Sequence, residues 1–170
     1  AILKEILVSK VTSSDVVIVS DYGKGFVGNE LLRLIRENAS FVSIDPKPSR
    51  LLYYQSPDLL TPNRLEALEL AGKSRLTKHE FPKTEVVQEI FNKFSPNKLA
   101  ITLGSDGMLL AQDEKIKKII PTAAREVFDV SGAGDTVIAV LSMALVSNGS
   151  FEQSAQLANL AAGIVVGKVG

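Results

Sequence analysis

The chain has no cysteine. Disulfides, thiol nucleophiles and cysteine metal sites are therefore excluded, and the composition is compatible with a reducing cytoplasm. It has one histidine, His79, in a polar stretch that reads as surface with no catalytic role. It has no surplus of either charge: 19 basic residues balance 19 acidic ones. Neither nucleic acid nor an anionic membrane is expected as a main partner. Long apolar runs are missing as well. The longest, 137–141 and 160–166, are too short or too interrupted by Ser142 and Gly163 to span a bilayer. No signal peptide is visible, and a cytoplasmic location is the expectation. The chain opens on Ala1 in the middle of a helical pattern, without Met, which suggests a fragment.

What remains is 170 residues, 45% hydrophobic and 22% charged, which is ordinary for one soluble globular domain. Ile2, Leu3, Ile6, Leu7 and Val11 repeat with a helical period. The β-branched run at 16–19 reads as a strand buried on both faces, ending in Ser20-Asp21-Tyr22-Gly23-Lys24-Gly25. Asn29 reads as a helix cap. A strand at 41–44 ends in Asp45-Pro46-Lys47, and Leu59-Leu60 ends in Thr61-Pro62-Asn63. A helix follows from Arg64 to about Ala71, stopped by Gly72. After a polar loop at 73–83 come an amphipathic helix at 84–91, a strand at 98–103 and a hairpin of 108–111 with 115–120. A last helix starts at Phe151. Alternating strands and helices predict an α/β fold with a mostly parallel central sheet flanked by helices.

The chain is organised around Asp129-Val130-Ser131-Gly132-Ala133-Gly134-Asp135, which runs straight into a long helical pattern. Small residues let backbone N–H groups approach a ligand, and a helix start adds unpaired donors and partial positive charge. The result is an anion cradle with the carboxylate of Asp135 beside it, the minimum kit for moving a phosphoryl group to a hydroxyl. The plain alternative is a helix start whose Asp only complements the dipole. Five strand ends carry polar or glycine chemistry: 21–25, 45–47, 61–63, 104–107 and 129–135. In a parallel sheet all five lie on one edge, where ligands bind.

Asn63 and Glu66 share one face of a helix start, and their oxygens suit Mg²⁺. Spacing alone favours capping, with Asn63 as cap and Glu66 as its partner. Lys47, behind a rigid proline, could aim at a phosphate or simply be solvated. Thr102, Gly104 and Gly107 could offer N–H groups to nucleotide phosphates or form a tight turn. Lys24, between two glycines, could contact a phosphate or only snorkel.

These motifs resemble the ribokinase-like (PfkB) carbohydrate kinases over nearly the whole chain. Residues 129–135 look like the family's C-terminal signature, and Asn63-Arg64-Leu65-Glu66 looks like its Asn-x-x-Glu motif. The segments 20–25, 45–47, 61–67 and 158–168 are most similar to the heptose-phosphate kinase branch. The resemblance implies a ribokinase-like, three-layer fold. It also implies ATP-dependent phosphorylation of D-glycero-β-D-manno-heptose 7-phosphate at its anomeric hydroxyl, for lipopolysaccharide core precursor synthesis.

By that resemblance Asp135 is the base, and the backbone of Gly132, Ala133 and Gly134 is the anion hole. Asn63 and Glu66 organise Mg²⁺, Glu66 through water. Lys47, Thr102, Gly104 and Gly107 lie along ATP, Asn63 on its metal side, and Asn159 near the nucleotide. Asp129 and Ser131 match the positions beside a monovalent cation such as K⁺. A homodimer and a fused or separate nucleotidyltransferase domain are compatible partners. Residues 1–170 correspond to the C-terminal part of one kinase domain, its ATP-binding and catalytic side. The N-terminal sugar-binding part and lid have no match, so residues 1–170 alone are expected to lack heptose kinase activity and to self-associate. Two other readings stay open: a different sugar or nucleoside kinase of this fold, and a non-catalytic nucleotide-binding fragment.

Overall fold

A computed structural model describes residues 2–48, 54–73, 81–123 and 132–167. The order is α1 (Ile2–Thr12), β1 (Val17–Ser20), α2 (Asn29–Asn38), β2 (Val42–Asp45), β3 (Leu59–Leu60), α3 (Arg64–Leu70), α4 (Lys83–Phe94), β4 (Lys98–Thr102), β5 (Met108–Gln112), β6 (Lys115–Ile120), α5 (Ala133–Val146) and α6 (Phe151–Val166). A short 3₁₀ turn, Gly104–Asp106, joins β4 to β5. The strands form one sheet in the order β1-β2-β3-β4-β5-β6. β1 to β4 pair in parallel, and β5 and β6 return as an antiparallel hairpin. The hairpin turns at Asp113 and Glu114, both at positive φ, the geometry that matches strand twist in a two-residue loop.

Alternation along the strands builds a core on each face. Leu99 and Ile101 of β4 and Leu109 and Ala111 of β5 join a cluster with α2, α3 and α4, which includes Leu32, Leu68, Val86 and Ile90. The alternate residues Ala100, Met108 and Leu110 face Val137, Leu141, Ala155 and Ala158 of α5 and α6. Helices, sheet and helices therefore make three layers, as expected. The α5 layer is also fixed by a polar link: Ser142 Oγ donates to Ser43 Oγ of β2 at 2.6 Å, and both residues are fully buried.

Two local expectations are corrected. The strand read as buried on both faces, β1, exposes Ile18. It stands at one end of the described sheet, so its α5-side residue near the outer edge has little to pack against. Asn29 is not a cap either. It is the first helical residue, and Gly28 takes the cap position with no side-chain bond.

Gly107 has a steric reason for its identity. It sits at φ +87°, and a Cβ there would lie 1.9 Å from the backbone oxygen of Ile120 at the end of β6. We expect Gly107→Ala to cost about 2 kcal/mol or more, because backbone on both sides must move. Urea unfolding of the variant beside the parent measures this. An unchanged midpoint would contradict the close approach.

Candidate active site

β1 to β4 are parallel, so their carboxyl ends lie along one edge. β6 runs antiparallel to β5 and so in the same sense as β4, and its end reaches that edge too. Gly132, at φ +75°, caps α5 in the left-handed conformation that a glycine tolerates without strain. Ala133, Gly134 and Asp135 form the first turn, and their N–H groups have no partner one turn earlier in the helix. Gly132, Gly134 and Asp135 are exposed, and Ala133 is half-buried. Thr136 closes the turn, its Oγ1 donating to the Gly132 oxygen at 2.9 Å.

Asp135 meets the end of β1. Tyr22 Oη donates to Asp135, 3.0 Å from Oδ1 and 3.0 Å from Oδ2. Ser20 Oγ donates to Oδ1 at 3.3 Å. Buried Asp21 anchors this turn: its Oδ1 accepts the Gly23 N–H at 2.8 Å and its Oδ2 accepts Tyr54 Oη at 3.0 Å. Tyr54 Oη in turn accepts the Lys47 N–H at 3.0 Å. The network then runs from the end of β2 to that of β3. Lys47 Nζ pairs with Glu66 Oε1 at 3.2 Å. Glu66 Oε2 accepts the Asn63 N–H at 2.9 Å, and Asn63 Oδ1 accepts the N–H groups of Leu65 and Glu66 at 2.9 and 3.0 Å. Asn63 also bridges in parallel to Thr102 at the end of β4. Arg64 pairs with Asp106 in the following turn and stacks 5.6 Å from the centre of the Phe81 ring.

The structure thus joins Asp135, Lys47, Asn63, Glu66 and Thr102 along one edge. Gly104 and Gly107 bound the turn at its far end. Asn159 is held apart from this network: its Nδ2 donates to the Pro121 oxygen just beyond β6, at 2.8 Å. Lys24 is exposed. Asp129, Ser131 and His79 lie outside the described residues. Asn63 and Glu66 make a complete capping box, so the helix-start reading of this pair is realised. Gly107 has the steric role described above.

Three residues to which the sequence pattern assigns no role of their own are central here: Tyr22, Asp45 and Tyr54. Asp45 follows Ser43 by two along β2, on the face that α5 covers, and its carboxyl is pushed up to about 7 from 3.8. Burial is the main cause. Glu66 and Asp135 add to it, Lys47 opposes it, and Asp21 adds a little. Among the described residues no three His, Cys, Asp or Glu stand close enough to hold a metal by themselves. The edge still carries Asp21, Asp45, Glu66 and Asp135 against Lys47, and such a surplus of oxygens suits a hard cation.

The protein has the three-layer α/β architecture of ribokinase-like enzymes. It is similar to ribokinase from Giardia lamblia (TM-score 0.80, 22% identity, 99% of this chain and 58% of that one). It is also similar to phosphofructokinase-2 from Escherichia coli in complex with potassium (TM-score 0.82, 20% identity, 99% and 55%). The chain belongs to the pfkB family of carbohydrate kinases, whose pattern matches residues 2–170. Among its curated relatives are the bifunctional proteins HldE of Campylobacter fetus subsp. fetus (43% identical over 160 residues, 92% of this chain and 34% of that protein) and of Sulfurimonas denitrificans (41% over 172 residues, 96% and 34%). The chain spans about a third of the length of these relatives.

The raised Asp45 predicts a pH effect. Between about pH 4 and pH 7 the folded chain holds a proton on Asp45 that the unfolded chain has lost. Stability from this group is therefore full below that window and falls as pH rises through it. Asp45→Asn should stabilise the fold at pH 8, on the order of 2 kcal/mol, and do little at pH 4. Urea unfolding at the two pH values checks it. Equal effects at both would remove the charge explanation.

Proposed function

We propose that this chain is the ATP-binding and catalytic side of a sugar kinase domain that phosphorylates the anomeric hydroxyl of D-glycero-β-D-manno-heptose 7-phosphate. The observation that carries the reading is Asp135. An exposed carboxylate stands in the first turn of α5, beside the N–H groups of the helix start and at the edge where the strand ends meet. The identity to HldE proteins supports the heptose acceptor.

In this reading the backbone N–H groups of Gly132, Ala133 and Gly134 face the charge that develops on the transferred phosphoryl group. Asp135 takes the proton of the acceptor hydroxyl as its oxygen bonds to the γ-phosphorus. The bond from that phosphorus to the bridging oxygen breaks, and its electron pair leaves on ADP. Lys47, Thr102, Gly104 and Gly107 flank the nucleotide, with Asn159 further along. A bound Mg²⁺ would neutralise phosphate charge, and Glu66, with Asn63 beside it, is the group to hold it through water. Glu66 is tied to Lys47 and to the helix cap, which suits an outer role better than direct ligation. A monovalent cation is a further candidate, given the potassium complex of phosphofructokinase-2. ATP is a candidate by the same likeness, since a similar ribokinase from Arabidopsis thaliana is complexed with ribose and ATP (TM-score 0.79, 22% identity, 98% of this chain and 54% of that one).

The test uses the full-length protein with magnesium–ATP and the heptose phosphate. Asp135→Asn should cut kcat by about 10²–10⁴ while ATP still binds, because it removes a positioned base and leaves the cradle. Turnover near the parent's would reduce Asp135 to a dipole partner. A sugar panel with the parent decides the acceptor.

A further inference from the structure

The base proposed above has a partner that the sugar-kinase reading does not need. Tyr22 is 64% exposed, so burial does not hold its ring in place. Its hydroxyl is held instead, 3.0 Å from each oxygen of Asp135. The turn that carries it is locked on both sides. The Asp21 N–H donates to the Asp45 oxygen at 3.0 Å, and the Asp21 carboxylate spans Tyr22 to accept the Gly23 N–H. Tyr54, fully buried, fixes the other oxygen of Asp21. Tyr22 is thus aimed by a buried frame at a carboxylate on another element.

We propose that Tyr22 is the positioning residue for Asp135, and that it leaves Asp135 Oδ2 as the oxygen that receives the acceptor proton. This rests on the sugar-kinase reading of Asp135. A carboxylate has about four lone-pair positions. Oδ1 accepts from both Ser20 and Tyr22, whereas Oδ2 meets Tyr22 alone. Oδ2 therefore keeps the freer lone pair. One hydroxyl proton shared between both oxygens also sets the plane of the carboxylate. Asp135 sits exposed at a helix start, and among the described residues only Ser20 and Tyr22 bond its carboxylate, so without Tyr22 it would sample several rotamers. Proton transfer depends on that orientation.

Tyr22→Phe keeps the ring and removes only the hydroxyl. In the full-length protein with magnesium–ATP and heptose 7-phosphate it should lower kcat about 10-fold or more, with both KM values within about twofold. In the Asp135→Asn background the same change should add nothing, since its effect passes through Asp135. A second readout does not depend on the sugar. In protein carrying ¹³C-labelled aspartate at fixed neutral pH, the carboxyl resonance lost in Asp135→Asn should move in Tyr22→Phe. Parent-like kcat together with an unmoved resonance overturns the proposal. Equal losses of kcat in both backgrounds overturn it as well. A moved resonance in a protein that does not turn over the heptose phosphate retains the Tyr22–Asp135 link and rejects the acceptor instead.

Discussion

The parallel pairing of β1 to β4 is the constraint on which the rest depends. It sends four consecutive strand ends to one edge, so segments far apart in the chain meet there. Ser20 and Tyr22 reach Asp135 across more than a hundred residues. The hairpin of β5 and β6 extends the same edge. It does so at the cost of a very close approach at Gly107, where backbone leaves no room for a side chain.

The second organising force is charge. Asp21, Asp45, Glu66 and Asp135 crowd one region, and Lys47 is the cation among them that opposes the raised Asp45. A fold selected only for stability would not hold a half-buried Asp45 among like charges. Local rules broken in this way are characteristic of sites where a ligand supplies the missing partner. The crowding also explains the posture of Lys47. Its side chain is exposed, yet its ammonium answers Glu66, and a bound polyanion would have to compete for it.

The helix that carries Asp135 is placed by packing as well as by its glycine cap. Ser142 reaches Ser43 through the core, and Ala155 and Ala158 let α6 lie close behind. Small residues on this face bring α5 near the sheet. The first turn of α5 then arrives beside the ends of β1 and β2, where a carboxylate can be addressed by Tyr22.

Much of this was determined by the sequence alone. The short apolar runs in 98–103 and 108–111, the stop at Gly72 and the small residues at 132–134 before a helical pattern are local signals, because backbone sterics and hydrophobic period act within a few residues. They placed the elements, the parallel sheet and Asp135 at its edge. The family signature is likewise a contiguous string. What only the tertiary structure decided is what touches what. The exposure of β1 depends on which strand stands at its side. The pairing of Lys47 with Glu66 and the raised carboxyl of Asp45 depend on distances between loops. Tyr22 carries no local mark of its role. Its hydroxyl gains meaning only when β1 and α5, remote in the chain, are laid side by side.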